Sequence, residues 1–389
     1  MRLDKQELKL RVKTRILYVT DSLIAGGIES QLVDLLLRLD STRVEPHVLC
    51  LYGARSGRIP HFAPQLKEAG IPFKVLDVGW GAGDKLGAAR QIAATARALR
   101  PQLIQLEGYH ANLLTRALRP LLASTQVIGT VRGIETRKQL FYQRLGQWAC
   151  TRIVASSPHL ASMIIQQAGV SSAKVVVIPN GIDVRRFANA PSTTPELRQQ
   201  LAPHGERLLL SVGRISPQKR LHLIPEALGL LKREGRLPAN VRVCLLGQVE
   251  KPELQLQLER AVAAAHLEEV ILQRPETATP EEYFHACDAT VLYTILEGIS
   301  IAMLESLAAG RPVIISEEAN GAGVIEHGRT GWIVPTHDLA SFAETLAVVL
   351  ELPEPELSAM AKACVERAEA YSIQALAARY MQLYDSLVI

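Results

Sequence analysis

The sequence predicts an α/β protein with two domains, each built on a parallel β-sheet. Three observations support this prediction. The 389 residues are enough for two domains with separate hydrophobic cores. Short apolar runs alternate with helical patterns along the chain, which is typical of βαβ units. A turn-rich polar stretch at 189–206 interrupts the alternation, and we expect the domain boundary there.

The alternation can be followed run by run. Seven strand-like runs lie in the first half, at 15–20, 46–51, 73–77, 102–106, 126–131, 152–155 and 174–178. Helical patterns lie between them, at 28–39, 85–99, 111–118 and 159–168. The second half repeats the alternation from 208 to 334 and closes with helical patterns from 339 onward. We therefore expect an N-terminal domain at 1–190 and a C-terminal domain at 191–372.

The composition indicates a cytoplasmic globular protein. Hydrophobic residues make up 48% and charged residues 21% of the chain, and no apolar run is long enough to cross a membrane. Residues 1–15 alternate charges and lack the apolar core of a secretory signal. Five scattered cysteines without a C-x-x-C motif predict reduced, buried thiols rather than disulfides or a zinc site.

The net charge of +4 conceals a basic half and an acidic half. Residues 1–190 hold 26 Lys and Arg against 13 Asp and Glu, whereas residues 191–389 hold 17 against 26. The basic half is suited to an anionic membrane surface or a diphosphate-linked lipid acceptor. Attraction between the two oppositely charged halves is an equally good explanation. The amphipathic segment 139–148 could lie on a membrane, although an ordinary helix packed on the sheet is the favoured interpretation.

Two segments of the second half carry candidate chemistry. The strand-like run 208–211 is followed by Arg214 and Lys219, and Ser216-Pro217 between them predicts a helix start. Cations at the carboxyl end of a parallel strand are suited to a diphosphate. Further along, Glu297 precedes a glycine turn and an apolar helix that carries Glu305. The N–H groups of 298–300 would lie at the N-terminus of this helix, where an anion is favoured.

Taken together, these segments resemble the family 4 retaining glycosyltransferases of GT-B fold. Three further stretches are similar to that family: the Gly-Gly loop at 21–29, Asn-Gly-Ile-Asp within 177–183, and the segment 320–335. The resemblance runs from about residue 15 to the C-terminus. It implies two Rossmann-like domains facing across a cleft, with a last helix at about 373–389 crossing back onto the first domain.

The resemblance also implies a role for each residue of a donor site. Arg214 and Lys219 would neutralise the diphosphate leaving group, and Glu297 would face the donor sugar, so these three are the candidate catalytic residues. Glu305 would accept hydrogen bonds from the ribose. The remaining implied donor contacts come from backbone groups, at Gly27, Gly298, Ile299 and Ser300.

An acceptor site is implied in the first domain, at Gly26, Glu29, His110 and Arg132. The first three have structural alternatives: a tight turn for Gly26, a first-turn acid for Glu29, and a helix-start hydrogen bond for His110. Arg132 stands where many family members have histidine, which puts that histidine's role in doubt here. Arg220 stands where the family often has glycine, as a third cation or a solvated one.

No metal site is expected. The chain contains no Asp-x-Asp, the usual metal anchor of the other large glycosyltransferase fold. Because Arg214 and Lys219 can neutralise the diphosphate, we expect a metal-independent reaction without a cofactor, with a UDP- or GDP-sugar as substrate.

The sequence thus predicts a glycosyltransferase of polysaccharide biosynthesis. It would move a hexosyl or N-acetylhexosaminyl unit from a nucleotide-diphosphate sugar to a glycan or lipid-linked acceptor, with retention at the anomeric carbon. It would be cytoplasmic, with a peripheral position on the inner face of the membrane as an option, and without a nucleic-acid partner. Two alternatives stay open: a nucleotide-sugar epimerase of the same fold, and a non-catalytic sugar- or nucleotide-binding scaffold.

Overall fold

The structure is a computed structural model that describes residues 13–24, 26–79, 81–122, 124–133, 135–277, 279–295 and 297–388. Most of the N-terminal segment predicted not to be a secretory signal therefore lies outside the described residues. The chain divides into two compact units. Unit 1 runs to Asn180 and resumes at Ile373, and unit 2 is Gly181–Ser372.

Unit 1 alternates strands and helices, as predicted. Its strands are β1 (Thr14–Thr20), β2 (Val44–Cys50), β3 (Phe73–Val75), β4 (Leu103–Glu107), β5 (Gln126–Val131), β6 (Arg152–Ala155) and β7 (Val175–Val177). Its helices before the boundary are α1 (Gly27–Arg38), α2 (Ala63–Glu68), α3 (Ala82–Leu99), α4 (Tyr109–Ala117), α5 (Arg137–Gly146) and α6 (Pro158–Ala168).

Unit 2 repeats this pattern. Its strands are β8 (Arg207–Val212), β9 (Val241–Leu246), β10 (Ile271–Arg274), β11 (Ala289–Leu292), β12 (Val313–Ser316) and β13 (Gly331–Val334). Its helices are α7 (Thr194–Leu201), α8 (Leu223–Arg233), α9 (Pro252–Ala265), α10 (Pro280–Ala286), α11 (Ile301–Ala308), α12 (Leu339–Glu351) and α13 (Glu354–Glu369). Helix α14 (Ile373–Leu387) then returns to unit 1.

Both sheets are parallel, which confirms the predicted class of two parallel α/β domains. The strand order is β3-β2-β1-β4-β5-β6-β7 in unit 1 and β10-β9-β8-β11-β12-β13 in unit 2. In each sheet the first three strands are added toward one edge, and the later strands are added on the other side of the first strand. The reversal lies between β1 and β4 in unit 1 and between β8 and β11 in unit 2. In open parallel sheets, ligands bind at such reversals, beyond the carboxyl ends of the strands.

The period-2 alternation of each strand supplies a core on both faces of its sheet. In β1, Leu17 and Val19 pack into one apolar cluster while Ile16 and Tyr18 pack into another on the opposite face. Burial on both faces is the reason the strands read as continuous apolar runs. The five cysteines are buried and unpaired, as the sequence predicted.

Helix α14 completes the core of unit 1. Its buried side chains include Ile373, Leu376 and Tyr380, which join the cluster that contains Ile16 and Tyr18. The spacing of three and four residues places them on one face of the helix. No helix among the described residues is long and apolar enough to span a membrane.

The segment that follows Asn180 packs on unit 2, ten residues before the predicted boundary. The N–H of Ile182 donates to the carbonyl of Tyr371 at 2.8 Å. Phe187 is buried against Phe284, with ring centroids 6.0 Å apart. The polar stretch 189–206 that suggested the boundary therefore follows a segment already anchored to the second unit.

Candidate functional site

The predicted donor residues lie at the reversal of the unit 2 sheet. Arg214 and Lys219 follow β8, and Glu297 follows β11, the strand paired with β8. The two loops are joined directly, since the N–H of Ile295 donates to the carbonyl of Gln218 at 3.0 Å. Tertiary structure thus brings together residues that are about 80 positions apart in sequence.

Lys219 and Glu297 form an ion pair. The Lys219 Nζ donates to Glu297 Oε1 at 2.6 Å, and the two side chains are 17% and 15% exposed. A partly buried charge pair is held in place more firmly than an exposed one, because water screens it less. The site therefore presents an ammonium whose position is fixed by a carboxylate.

The loop around Lys219 differs from the prediction in one respect. Ser216-Pro217 does not begin a helix, because α8 starts only at Leu223 and Lys219 lies in a turn closed by its N–H on the Ser216 carbonyl at 3.1 Å. Arg220 has φ of +46°, a left-handed conformation that interrupts any helix. Lys219 is therefore presented by a turn rather than by the first turn of a helix.

Two glycines allow this loop to approach its neighbours closely. A Cβ on Gly213 would lie 3.0 Å from Lys219 Cε, so the lysine stem packs where a larger residue would stand. A Cβ on Gly247, which follows β9, would overlap the Gly213 carbonyl oxygen at 2.2 Å. Sequence reasoning missed Gly247, although an apolar strand ending in glycine is a recognisable signal for close backbone approach.

We expect Gly247→Ala to destabilise unit 2 by about 1–3 kcal/mol. The added Cβ would clash with the Gly213 backbone, and the φ of +151° at this position is strained for any residue other than glycine. The displaced Gly213 carbonyl would also move the loop that carries Lys219, so donor binding should weaken. Thermal unfolding with and without donor measures both effects. Gly328→Ala is the matched control, since Gly328 has φ of +74° but open space around its Cβ position. Equal losses in the two variants would contradict the close-approach argument.

Arg214 is far more exposed than Lys219. Its side chain is 73% exposed and lies 3.8 Å from Glu250. The backbone below it is fixed, because the N–H of Ile215 donates to the Gln248 carbonyl and the N–H of Glu250 donates to the Ile215 carbonyl. Arg214 is therefore a loosely held guanidinium on a rigid loop, and its ion pair with Glu250 among the described residues is long enough for a phosphate to displace.

The helix predicted after the glycine turn is present as α11. Its N-cap is Ser300, and Gly298, Ile299 and Ser300 are all buried. The Ile299 side chain belongs to the core of unit 2, so a ligand contact at this position would use its backbone. Glu305 is the fifth residue of α11 and is partly buried.

Arg220, which sequence reasoning left open, is not a simple solvated cation. Its guanidinium lies 4.8 Å from the centroid of the Tyr293 ring, which itself stacks on Phe342. The Nε and Nη2 atoms are buried without a hydrogen-bond partner among the described residues. Burial lowers the pKa of Arg220, while Tyr293 and Glu318 act against that shift. The loop after β8 therefore carries a third cation, whose Nε and Nη2 groups have no hydrogen-bond partner among the described residues.

The predicted acceptor residues of unit 1 lie at the reversal between β1 and β4. Asp21 follows β1, and its carboxylate accepts the N–H groups of His110 and Ala111 at 3.1 and 2.6 Å. The His110 Nδ1 lies 3.7 Å from the same carboxylate. Asp21 thus caps the start of α4 through two backbone N–H groups, and the imidazole lies close to the same carboxylate. The structural alternative for His110 is present, and its acceptor contact stays a prediction.

Gly26 and Glu29 are in contact. A Cβ on Gly26 would meet Glu29 Oε2 at 2.6 Å, and Glu29 Oε1 accepts the Ser22 hydroxyl at 2.5 Å. Burial raises the pKa of Glu29, against the opposing effects of the Ser22 hydrogen bond and of Arg58. Arg58 donates to the Ser22 hydroxyl at 3.2 Å and lies over the Tyr52 ring. Gly27 is the first residue of α1.

Arg132 is part of a buried polar network. Its side chain is 4% exposed and donates twice to Glu107, which is fully buried, at 2.9 and 3.0 Å. It also donates to Asn180 Oδ1 and to the Tyr380 hydroxyl, both at 3.0 Å. Burial alone would lower the pKa of Arg132, but Glu107 and Tyr380 raise it above its ordinary value. The guanidinium is directed into unit 1, and its predicted acceptor contact stays a prediction.

Among the described residues, no three His, Cys, Asp or Glu side chains converge in a way that could hold a metal ion.

Comparison with known families agrees with this arrangement. Residues 25–186 match the family model Glycosyltransferase Family 4, and residues 193–370 match Glycosyl transferases group 1. The chain belongs to the family 4, group 1 glycosyltransferases. The predicted family and the predicted pair of parallel α/β domains are therefore confirmed, whereas retention at the anomeric carbon stays a prediction.

Relatives of this glycosyltransferase family member match it at 27–29% identity over part of the chain. The D-inositol 3-phosphate glycosyltransferase of Kineococcus radiotolerans is 29% identical over 258 residues, which are 62% of this chain and 58% of that protein. The protein of the same name from Pseudarthrobacter chlorophenolicus is 27% identical over 61% of this chain and 56% of its own length. The chain thus spans little more than half the length of these relatives.

Solved structures show the same fold over nearly the whole chain. HepE of Anabaena, crystallised with UDP and glucose, superposes with a TM-score of 0.83 at 20% identity, covering 96% of this chain and all of that one. A glycosyltransferase from Rickettsia africae gives a TM-score of 0.81 at 16% identity, covering 97% and 99%. At these identities the likeness establishes the fold.

Several residues of the two candidate sites were not found by sequence reasoning. Asp21 and Arg58 escaped because an acid after a strand and a cation in a loop are common surface features. Glu107 could have been suspected, since a charged residue ends an otherwise apolar strand. Its partner Arg132 directly follows the strand β5, which is also largely apolar.

Proposed function

We propose that this chain transfers a sugar from a nucleotide-diphosphate sugar, bound by unit 2, to an acceptor bound by unit 1, with retention at the anomeric carbon. The observation that carries the proposal is the Lys219–Glu297 ion pair at the reversal of the unit 2 sheet. Support for a UDP-sugar donor comes from HepE, which was crystallised with UDP-glucose.

The chemistry needs charge neutralisation at the leaving group. When the bond between the anomeric carbon and the β-phosphate oxygen breaks, negative charge grows on the diphosphate. Lys219 supplies a positive charge fixed by Glu297, and Arg214 adds an exposed guanidinium nearby. Positive charge there lowers the energy of the transition state more than that of the bound donor. The backbone N–H groups at the start of α11 can donate hydrogen bonds to the diphosphate and so also stabilise its negative charge. Because these protein groups carry the charge, we propose a metal-independent transfer.

Glu297 has two tasks in this proposal. Its carboxylate holds the Lys219 ammonium at 2.6 Å, which orients the cation before the donor arrives. A carboxylate also accepts hydrogen bonds from sugar hydroxyls and stabilises positive charge developing at the anomeric carbon. Glu305, a turn into α11, would accept hydrogen bonds from the ribose hydroxyls.

The acceptor is proposed to be a glycan or a lipid-linked sugar. Support comes from the excess of cations in the first half of the chain, which is suited to an acceptor carrying a diphosphate or to an anionic membrane. A peripheral position at such a membrane is part of this proposal. Gly26, Glu29 and His110 lie at the edge where the acceptor would bind, and Asp21 holds the backbone of His110 there.

A thermal-shift screen against UDP-, GDP-, ADP- and CMP-sugars tests the donor site. A ligand that binds only the folded state stabilises it by about 2.7 kcal/mol at a concentration of 100 times its dissociation constant. We expect one nucleotide class to raise the melting temperature without added metal. Turnover of that donor without any acceptor would favour the epimerase, and no shift with any donor would favour the scaffold.

Glu305→Ala should raise the dissociation constant of that donor by about ten- to a hundredfold, since a hydrogen bond to a charged group contributes about 1.5–3 kcal/mol. Isothermal titration measures the change. Glu268→Ala, which removes an exposed acid of unit 2, is the control and should bind normally. Normal donor binding by the Glu305 variant would show that α11 is not part of the donor site.

A further inference from the structure

Helix α5 of unit 1 carries large apolar side chains on the face that is exposed to solvent. Phe141, Leu145 and Trp148 are 56%, 54% and 61% exposed, and Trp148 lies in the single 3-10 turn Gln147–Ala149 that follows the helix. Their spacing of three to four residues places them on one stripe. The other exposed large hydrophobic residues of the described chain are mostly scattered singly, which is ordinary for a protein surface.

The inward face of α5 is only partly apolar. Leu140 and Gln143 are buried, and the Gln143 amide is fully engaged, because it accepts from Arg116 and donates to Glu135, each at 2.7 Å. A capping box between Thr136 and Gln139 fixes the start of the helix. These hydrogen bonds fix the orientation of the helix, and in this orientation the apolar stripe faces solvent.

Cations border this stripe. Arg137, Lys138 and Arg144 are exposed on the same helix. From residue 108 to residue 182 the sequence contains eight Lys and Arg against a single acid, Glu135, which is bound by Gln143. We call the six residues Arg137, Lys138, Phe141, Arg144, Leu145 and Trp148 the α5 face. A stripe of Phe, Leu and Trp edged by cations is the pattern of a helix that lies in the headgroup region of an anionic bilayer.

The α5 face is continuous with the proposed acceptor edge. Tyr142 contacts Phe141 on one side, with ring centroids 6.1 Å apart, and Tyr109 on the other, at 6.2 Å. Tyr109 in turn contacts His110 at 5.0 Å. A bilayer on the α5 face would therefore lie beside the end of β4, where His110 is held by Asp21.

We propose that the α5 face docks unit 1 on an anionic lipid bilayer and so delivers a lipid-linked acceptor to the His110 edge. This inference rests on the proposed function for its second half, whereas the docking itself does not. The three cations attract the anionic headgroups, and the apolar stripe enters the boundary between headgroups and acyl chains. Charge alone would suit nucleic acid as well, but three large apolar side chains are better matched to lipid.

The test is co-sedimentation of the full chain with vesicles of phosphatidylcholine, and with vesicles in which about one third of the lipid is phosphatidylglycerol. We expect binding to the anionic vesicles that weakens with salt, because the Debye length shortens to about 8 Å at physiological ionic strength. Arg137→Gln, Lys138→Gln and Arg144→Gln combined should lower the partition coefficient by on the order of a hundredfold, at about fivefold per cation.

Phe141→Ser, Leu145→Ser and Trp148→Ser combined should lower it by more than about tenfold at any salt concentration. The control is Leu256→Ser with Val348→Ser, which removes two comparably exposed apolar side chains from unit 2. Circular dichroism of every variant checks that the chain is folded. An equal loss in the control, equal binding to neutral vesicles, or no binding by the unaltered chain overturns the proposal.

Two other occupants give distinct results. A dimer that the serine variant converts to monomers would show that a second copy covers the α5 face, and equally tight binding of single-stranded RNA would show a nucleic-acid surface; either result overturns the proposal. Donor thermal shifts on the same samples separate this inference from the proposed function. Vesicle binding without any donor-induced thermal shift would support the docking proposal and contradict the proposed transferase function. A donor-induced shift without vesicle binding would support the transferase function and contradict the docking proposal.

Discussion

Lys219→Ala is expected to lower the turnover number by on the order of a hundred- to a thousandfold, the loss typical of removing one group that stabilises developing negative charge. In the unaltered chain the Lys219 ammonium is fixed 2.6 Å from Glu297 and is partly buried. Its position is therefore well defined, and water screens its charge only weakly. Arg214 is a poor substitute, because it is largely exposed and held by one long ion pair. Arg220 is packed against the Tyr293 ring instead of being paired with Glu297. Steady-state kinetics with the donor identified by thermal shift measures the effect.

The same variant leaves Glu297 as a partly buried carboxylate without its ammonium. We therefore expect a second loss, in the stability of unit 2, that Lys219→Ala with Glu297→Ala partly restores without restoring activity. Lys362→Ala is the control, since Lys362 is 85% exposed and its distance to Glu366 is 4.0 Å. A Lys219 variant that turns over within threefold of the unaltered chain would exclude Lys219 from the transition state.

Arg132→Met is expected to reduce the unfolding free energy of unit 1 by about 3–5 kcal/mol, because it leaves Glu107 buried and unpaired. The Glu107 side chain is fully buried, and the lost guanidinium also served Asn180 and Tyr380. Because unit 1 and unit 2 need not unfold together, calorimetry or amide exchange at β4 and β5 is the suitable readout.

Arg329→Met is the matched control. Arg329 also pairs with a carboxylate at 2.6 Å, on Glu326, but the two side chains are 57% and 36% exposed. Such a pair contributes about 0–1 kcal/mol. Replacing Glu107 together with Arg132 by apolar residues of similar size should recover much of the loss. If Arg132→Met instead kept full stability and lost acceptor turnover, the acceptor role implied by the family resemblance would be the better account.

The architecture could be predicted because it depends on local patterns. Strands buried on both faces, such as β1, must be continuously apolar, and helices between them must be apolar on one face. The Asn-Gly-Ile-Asp, Gly-Arg…Lys and Glu…Glu stretches then indicated the family, which the matching models confirm. The helix start predicted at Ser216 was wrong, because the chain turns at Arg220, which has a left-handed conformation, and α8 begins only at Leu223. The Arg220 side chain packs on Tyr293, a contact that the local sequence pattern does not reveal.

Local sequence patterns were enough to predict the two parallel α/β domains, the family, and the strand ends that carry Lys219, Glu297 and His110. Which of these side chains meet could be seen only in the folded chain. Lys219 pairs with Glu297 because β8 and β11 are neighbours at the sheet reversal. Arg132 is withdrawn into a network with Glu107 and Tyr380 because α14 returns to unit 1. Contacts between residues so far apart depend on strand order and packing, which no local pattern encodes.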